Sequence, residues 1–246
     1  MNPYLAVGVT NWLDVFCLPS WGYNRNQGVG NWFWGDFPAG IDIQLFRGHV
    51  DDPYPSVKLF IQESFPTGKF DRLDPAKQGT DAGGVGSFVT SAGLVIGKLI
   101  HFTGPYWLNI ALDCGYFMPA KSHIRGFNAF GASKHTNGTL YLGPYSQFDL
   151  GAVLTLSQRW ALACDFIADY YQKTKFTAKN PAGYYDSSHQ RKFSTVIGSI
   201  TQYAIAPAIQ YNWSQNQGVM SGVWFTLAGR NTEAFLSWVS AVAFVF

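Results

Sequence analysis

Residues 233–246 read EAFLSWVSAVAFVF. Every second residue is large and apolar: Leu236, Trp238, Val242, Phe244 and Phe246, with Ser240 as the one break. The intervening set, Ser237, Val239, Ala241, Ala243 and Val245, is smaller. A period of two belongs to a strand and gives it two unlike faces. A bulky face that ends on an aromatic suits a strand whose outer side touches lipid and whose end sits at the membrane interface. The edge strand of a soluble sandwich would show the same alternation, so the rest of the chain has to separate the two.

Composition favours the membrane. Of 246 residues 47% are hydrophobic, 17% aromatic and only 13% charged, against about 25% charged in an ordinary soluble domain. Mean hydropathy is close to zero, too polar for a helical membrane protein. No apolar run reaches the ~18 residues of a spanning helix. Low charge, many aromatics and 26 glycines together predict a barrel of alternating strands. The net charge of +2 leaves no basic stripe for nucleic acid. The three cysteines, Cys17, Cys114 and Cys164, form no disulfide or metal pattern; Cys114 and Cys164 fall on apolar registers, as small hydrophobes do.

Moving outward from the last strand, the same alternation recurs. In SITQYAIAPAIQYNW, Tyr203, Ile205, Ile209, Tyr211 and Trp213 share a side, with aromatics at the ends and aliphatics in the middle. In YWLNIALDCGYFMP, Leu108, Ile110, Leu112, Cys114, Tyr116 and Met118 oppose Asn109, Ala111, Asp113, Gly115 and Phe117. The segment predicts about eleven strands along the chain, mostly of ten residues or more, longer than the ~5–6 of soluble sheets and matched to the ~9–11 that cross a bilayer. The second face is rich in Ala, Gly, Asn, Gln, Asp and Thr and poor in Lys and Glu, which suits a narrow barrel interior. The expected fold is therefore all-β, an antiparallel transmembrane β-barrel in one domain over 1–246.

Loop lengths alternate. The connections near Asn11, Asp51, Thr103, Gln158 and Gln215 are short, and those near Asn26, Pro75, Gly131 and Pro181 are long. Bacterial outer-membrane barrels place short turns in the periplasm and long loops outside. On that parity the first and last strands both run inward. Bacterial barrels have an even strand number, so the expectation is a parent of about 12 strands with an N-terminus that is incomplete here. The start, MNPYLAVGVTNWLDVF, carries no Lys or Arg and is broken by Asp14, so no signal peptide is visible.

Several stretches carry a family resemblance: PSVKLFIQESFPTGKF, the loop end GTDAGGVGSF, APAIQYNW and GVWFTLAGRN. The chain from about Tyr4 to Phe246 resembles the family of MetA-pathway of phenol degradation proteins, outer-membrane β-barrel transporters of Gram-negative bacteria. The resemblance implies an outer-membrane location and passage of aromatic or other small hydrophobic compounds.

Catalysis is not expected. His49 and His101 sit at short turns and His123, His135 and His189 in long loops, none on a strand with a serine two residues away, as a lipid hydrolase would need. GTDAGG lacks the Gly-Lys-Ser/Thr ending of a phosphate loop and reads as external-loop flexibility. No cofactor and no metal site is expected. The lumen-lining candidates are Asp42, Gln44, Lys58, Gln62, Lys98, Asn109, Asp113, Gln147, Asp149, Asp165, Asp169, Gln202, Gln210 and Arg230. Buried carboxylates are ordinarily paired, so Lys58, Lys98 and Arg230 are the expected partners of Asp165 and Asp169. The implied function is a channel or transporter for small hydrophobic or aromatic solutes, with outer-membrane lipid around it. The alternatives are a structural or adhesive barrel acting through its long loops and, behind it, a lipid-modifying enzyme.

Overall fold

The computed structural model describes residues 2–130, 133–179 and 192–244. In chain order the strands are β1 (Leu5–Thr10), β2 (Leu13–Cys17), β3 (Trp21–Asn26), β4 (Val29–Trp34), β5 (Phe37–Phe46), β6 (Ser56–Phe65), β7 (Val89–His101), β8 (Trp107–Pro119), β9 (Ser122–Arg125), β10 (Asn137–Tyr141), β11 (Tyr145–Thr155), β12 (Trp160–Tyr171), β13 (Thr174–Lys179), β14 (Lys192–Ile197), β15 (Ile200–Asn212), β16 (Gln217–Arg230) and β17 (Leu236–Phe244). Eleven of them form one antiparallel wall in the order β1-β2-β5-β6-β7-β8-β11-β12-β15-β16-β17. No helix among the described residues is long and apolar enough to cross a membrane.

The alternation of the sequence becomes two faces of this wall. The large apolar residues point outward and stay exposed: Ile61, Leu94, Ile110, Leu150, Leu162 and Ile209 in the middle band. Aromatics flank that band. Phe102, Tyr106, Trp160, Trp213 and Phe244 lie at the short-turn end, and Phe65, Phe88, Tyr116, Tyr170 and Tyr203 at the other. Water would penalise so much exposed apolar surface, whereas lipid does not.

Eleven antiparallel neighbours make β1 and β17 run in the same direction. Among the described residues no pairing joins them, and both are exposed along their whole length. Leu236 and Trp238 are each 75% exposed.

The remaining strands extend the wall. The order β9-β10-β13-β14 of the four-stranded sheet, which with the loop 66–88 packed on it forms a crown above the wall, copies the wall order β8-β11-β12-β15, because each of its strands adjoins a wall strand in sequence. The ladder breaks where Pro144, which has no N–H, opens β11. The crown has its own core of Ile124, Leu140, Phe176 and Ala178, with Phe70, Phe130 and Leu142 packed against it. The pair β3–β4 forms a separate hairpin. Its two-residue turn needs positive φ at both positions, and Gln27 (48°) and Gly28 (87°) supply it.

Loop 66–88 departs from expectation. The GTDAGG stretch packs instead of moving freely: Thr80 is 2% and Asp81 4% exposed. Lys69 Nζ lies 2.7 Å from Asp81 Oδ2, and the N–H of Asp74 donates to the same oxygen at 3.2 Å. Asp36 holds the loop from the hairpin side, accepting from the N–H of Gly68 (3.0 Å) and Val85 (2.8 Å). On the crown side, the N–H groups of Arg72 and Leu73 donate to Arg125 O and Phe127 O, both at 2.9 Å. Backbone groups in a buried loop need such partners, and here short polar side chains provide them.

Candidate functional site: the inner face of the wall

The inner face is built by register. Asp149 on β11 stands directly opposite Asp113 on β8 and opposite Ile167 on β12. Asp165 and Asp169 flank Ile167 on the same face, so they are the diagonal neighbours of Asp149, within about 7–8 Å along an antiparallel pair. Asp169 itself lies opposite Gln147 and Gln202. Asp165 lies opposite Gly151. A Cβ at Gly151 would come within 2.7 Å of Asp165 Oδ1, so the glycine leaves room for the carboxylate.

A second group sits further round the wall. Lys58 Nζ pairs with Asp42 Oδ2 at 2.9 Å, and the Tyr4 hydroxyl reaches the same oxygen at 3.5 Å. Tyr4 stacks on Phe16 with centroids 5.7 Å apart. The Phe60 ring lies across Gly93 and Gly115, where added Cβ atoms would meet it at 2.4 and 3.1 Å. Together with Gln62 and Asp113 these residues line a cavity of about 380 Å³.

Two other features come from aromatic and small residues. Tyr145 is stacked between Phe117 (4.4 Å) and Tyr171 (4.8 Å), one step beyond Gln147 and Asp169 on the same face. On β15–β17, Ala206, Ala208, Met220, Trp224 and Ala241 line an apolar recess of about 190 Å³ that Asp165 borders. Trp224 packs edge-on to Phe235 at 4.9 Å, and its Nε1 is buried without a hydrogen-bond partner.

Twelve of the fourteen residues named from sequence fall in the inner register. Not all of these are open to the lumen. Gln44 Nε2 is spent on Phe46 O (2.6 Å) and Val57 O (3.1 Å), Gln210 donates to Asn212 Oδ1 at 2.8 Å, and Gln202 to Thr226 Oγ1 at 3.3 Å. Asn109 stands opposite Leu99 and Val153 near the short-turn end.

Lys98 and Arg230 lie elsewhere. Lys98 pairs with Ile110 on the outward register and reaches back to the turn between β5 and β6. There its ammonium donates to His49 O at 2.8 Å and to Asp52 O. A long cationic side chain near a strand end can lie on an apolar face and place its charge beyond it. Arg230 is displaced by a bulge. Ala204 pairs with Thr226 but Tyr203 with Ala228, so Leu227 is the extra residue and the parity of β16 inverts after it. Arg230 then stands opposite Thr201, on the register of the exposed Tyr203. Neither cation meets Asp165 or Asp169.

Sequence reasoning overlooked Asp14, opposite Asp42, and the rings of Phe60, Tyr145, Tyr171 and Trp224. Counting by twos from Gln147 and Asp169 would have reached Tyr145 and Tyr171. Of the histidines, His101 stacks on Trp107 at 4.1 Å and its Nε2 lies 3.1 Å from Gly104 O; His189 lies outside the described residues. Among the described residues no group of three His, Cys, Asp or Glu side chains is placed to hold a metal ion.

No protein-family model matches the chain, and no curated protein does. Among solved structures the chain is similar to an outer membrane channel from Pseudomonas putida F1. The match covers 98% of this chain and 80% of that one, with a TM-score of 0.61 and 9% sequence identity. At that identity the likeness bears on the fold, an antiparallel β-barrel. The narrower resemblance to the MetA-pathway family rests on the quoted sequence stretches alone.

Proposed function

We propose that the protein is an outer-membrane barrel whose inner face conducts small solutes, including hydrophobic or aromatic compounds. The observation that carries this reading is the division of one wall into an apolar outer band between aromatic girdles and an inner face of carboxylates, amides and small residues. Lipid outside and water inside is the environment that rewards such a division. The barrel likeness to an outer membrane channel supports the same reading. The apolar recess beside Asp165 supports the finer part, because a small ring can leave water there without losing hydrogen bonds.

A second reading has its own support. The crown carries a separate packed core, which a purely passive loop region does not need, so the crown could act as a binding surface. Planar-bilayer recording and liposome uptake of the protein separate the two. A conduit gives discrete conductance and uptake of a small aromatic alcohol, and both persist when the crown is cleaved. A sealed barrel with no uptake rejects the conduit.

A further inference from the structure

We infer that Asp113, Asp149, Asp165 and Asp169 form a cation-binding station on the inner face, suited to a protonated amine carried on an apolar or aromatic body. This rests on the reading of that face as a lumen and adds the charge and shape of the solute. Six aspartates, Asp14, Asp42, Asp113, Asp149, Asp165 and Asp169, share the inner register with one lysine, Lys58. Lys58 is committed to Asp42. Lys98 is committed to turn carbonyls and Arg230 stands on the other register. Among the described residues no cation therefore lies within ion-pair distance of the quartet, and Lys58 is the one that shares a cavity with a member of it, Asp113.

The second observation points to a ligand. Asp169 is only 8% exposed and lies opposite Gln147, and its Oδ1 is buried with no hydrogen-bond partner. Asp149 Oδ1, at the centre of the quartet, is equally buried and unpartnered. An unpaired buried carboxylate oxygen is costly, and two of them belong to diagonal neighbours on one face of the wall. Among the described residues no three of these carboxylates are placed to hold one metal ion, which favours a cation with several separate donors. An ammonium with three donors can serve several separated oxygens.

The surroundings define the rest of the solute. On one side stand the rings of Phe117, Tyr145 and Tyr171, stacked face to face, which give the apolar body of a solute an aromatic border. On the other is the apolar recess bordered by Asp165 and Trp224. An amine on a ring or short alkyl group would place its charge among the carboxylates and its body against the recess.

Three matched probes test this: benzylammonium, benzyl alcohol and benzoate, each measured by equilibrium dialysis against the full chain in lipid nanodiscs. Benzylammonium should bind at least about tenfold tighter than benzyl alcohol, with benzoate weakest. Asp149→Asn should remove about tenfold of that preference and leave benzyl alcohol unchanged. Equal binding of amine and alcohol, or a preference that survives Asp149→Asn in a folded barrel, overturns the station. Should that variant fail to fold, the ranking by the unaltered protein still decides. Failure of the conduit reads differently: a barrel that binds benzylammonium but passes no current keeps the station and loses the channel.

Discussion

The wall and the crown bury carboxylates in opposite ways. In the crown, Asp81 is enclosed together with its counter-ion and a backbone donor, so its charge is spent on holding loop 66–88. In the wall, Asp149 and Asp169, like Asp81, each keep one buried oxygen without a partner, but no cation among the described residues stands within ion-pair distance of either. A buried acid with its counter-ion holds local structure together, whereas one kept without a cation costs stability and is retained for something else. Asp42, in the wall but paired with Lys58, behaves as a crown acid would.

The comparison breaks or sharpens under substitution. The largest effect should come from the crown core. Phe176→Ala removes a ring that is 2% exposed and should cost about 3–5 kcal/mol of local stability. Limited proteolysis and hydrogen exchange should show the crown opening while the wall keeps its heat-modifiable gel mobility; joint loss of both would mean that they are one cooperative unit. Next, Asp42→Asn should destabilise the wall by about 1–3 kcal/mol, because Lys58 loses its partner. Asp149→Asn should leave stability unchanged or raise it. Equal losses from the two, measured by urea unfolding in lipid, would erase the distinction between paired and unpaired acids.

Lys98→Met should loosen the β5–β6 turn by about 1–2 kcal/mol, since the ammonium ties its carbonyls together. It should leave charge selectivity untouched; a change in reversal potential would return Lys98 to the lumen. The smallest effect is a pH response in the crown. Burial raises the Asp81 carboxyl, but the Lys69 ammonium and the Asp74 N–H outweigh it and hold the group below the ordinary carboxylate value. A depressed folded value contributes stability above the unfolded value of about 3.9, and that contribution is lost as pH falls through the folded one. Hydrogen exchange in 66–88 should therefore rise below about pH 4, and Lys69→Met should flatten that dependence.

Much of the wall was legible because a lipid-facing strand cannot hide its period. Leu108 through Met118 alternate with Phe117 as the one large residue on the second face, and the structure follows. The crown was not legible for the opposite reason. β9 and β10 each bury only one large apolar residue, Ile124 and Leu140, and those sit among Gly, Asn, Ser and Lys that read as loop. The site was legible up to the points where parity slips or side-chain length matters. The bulge at Leu227 has no sequence mark of its own, so Arg230 was carried to the wrong face. Lys98 shows that the register of a long cation near a strand end does not fix where its charge lies. The pairing of acids with bases, a sound general expectation, failed at Asp165 and Asp169 because all three candidate cations had gone elsewhere: Lys58 to Asp42, Lys98 to turn carbonyls and Arg230 to the other register.

The division of the wall into a lipid face and a water face can be read residue by residue along β12. Single spin labels from Trp160 to Tyr171, in protein whose Cys17, Cys114 and Cys164 are replaced by serine, should report alternating collision with oxygen and with a water-soluble nickel chelate. Even positions, the register of Leu162 and Phe166, are expected to meet oxygen. Odd positions, the register of Asp165 and Asp169, are expected to meet the chelate or be shielded from both. Equal chelate access at even and odd positions would contradict the membrane-spanning wall, and with it the lumen that Asp149 is taken to serve.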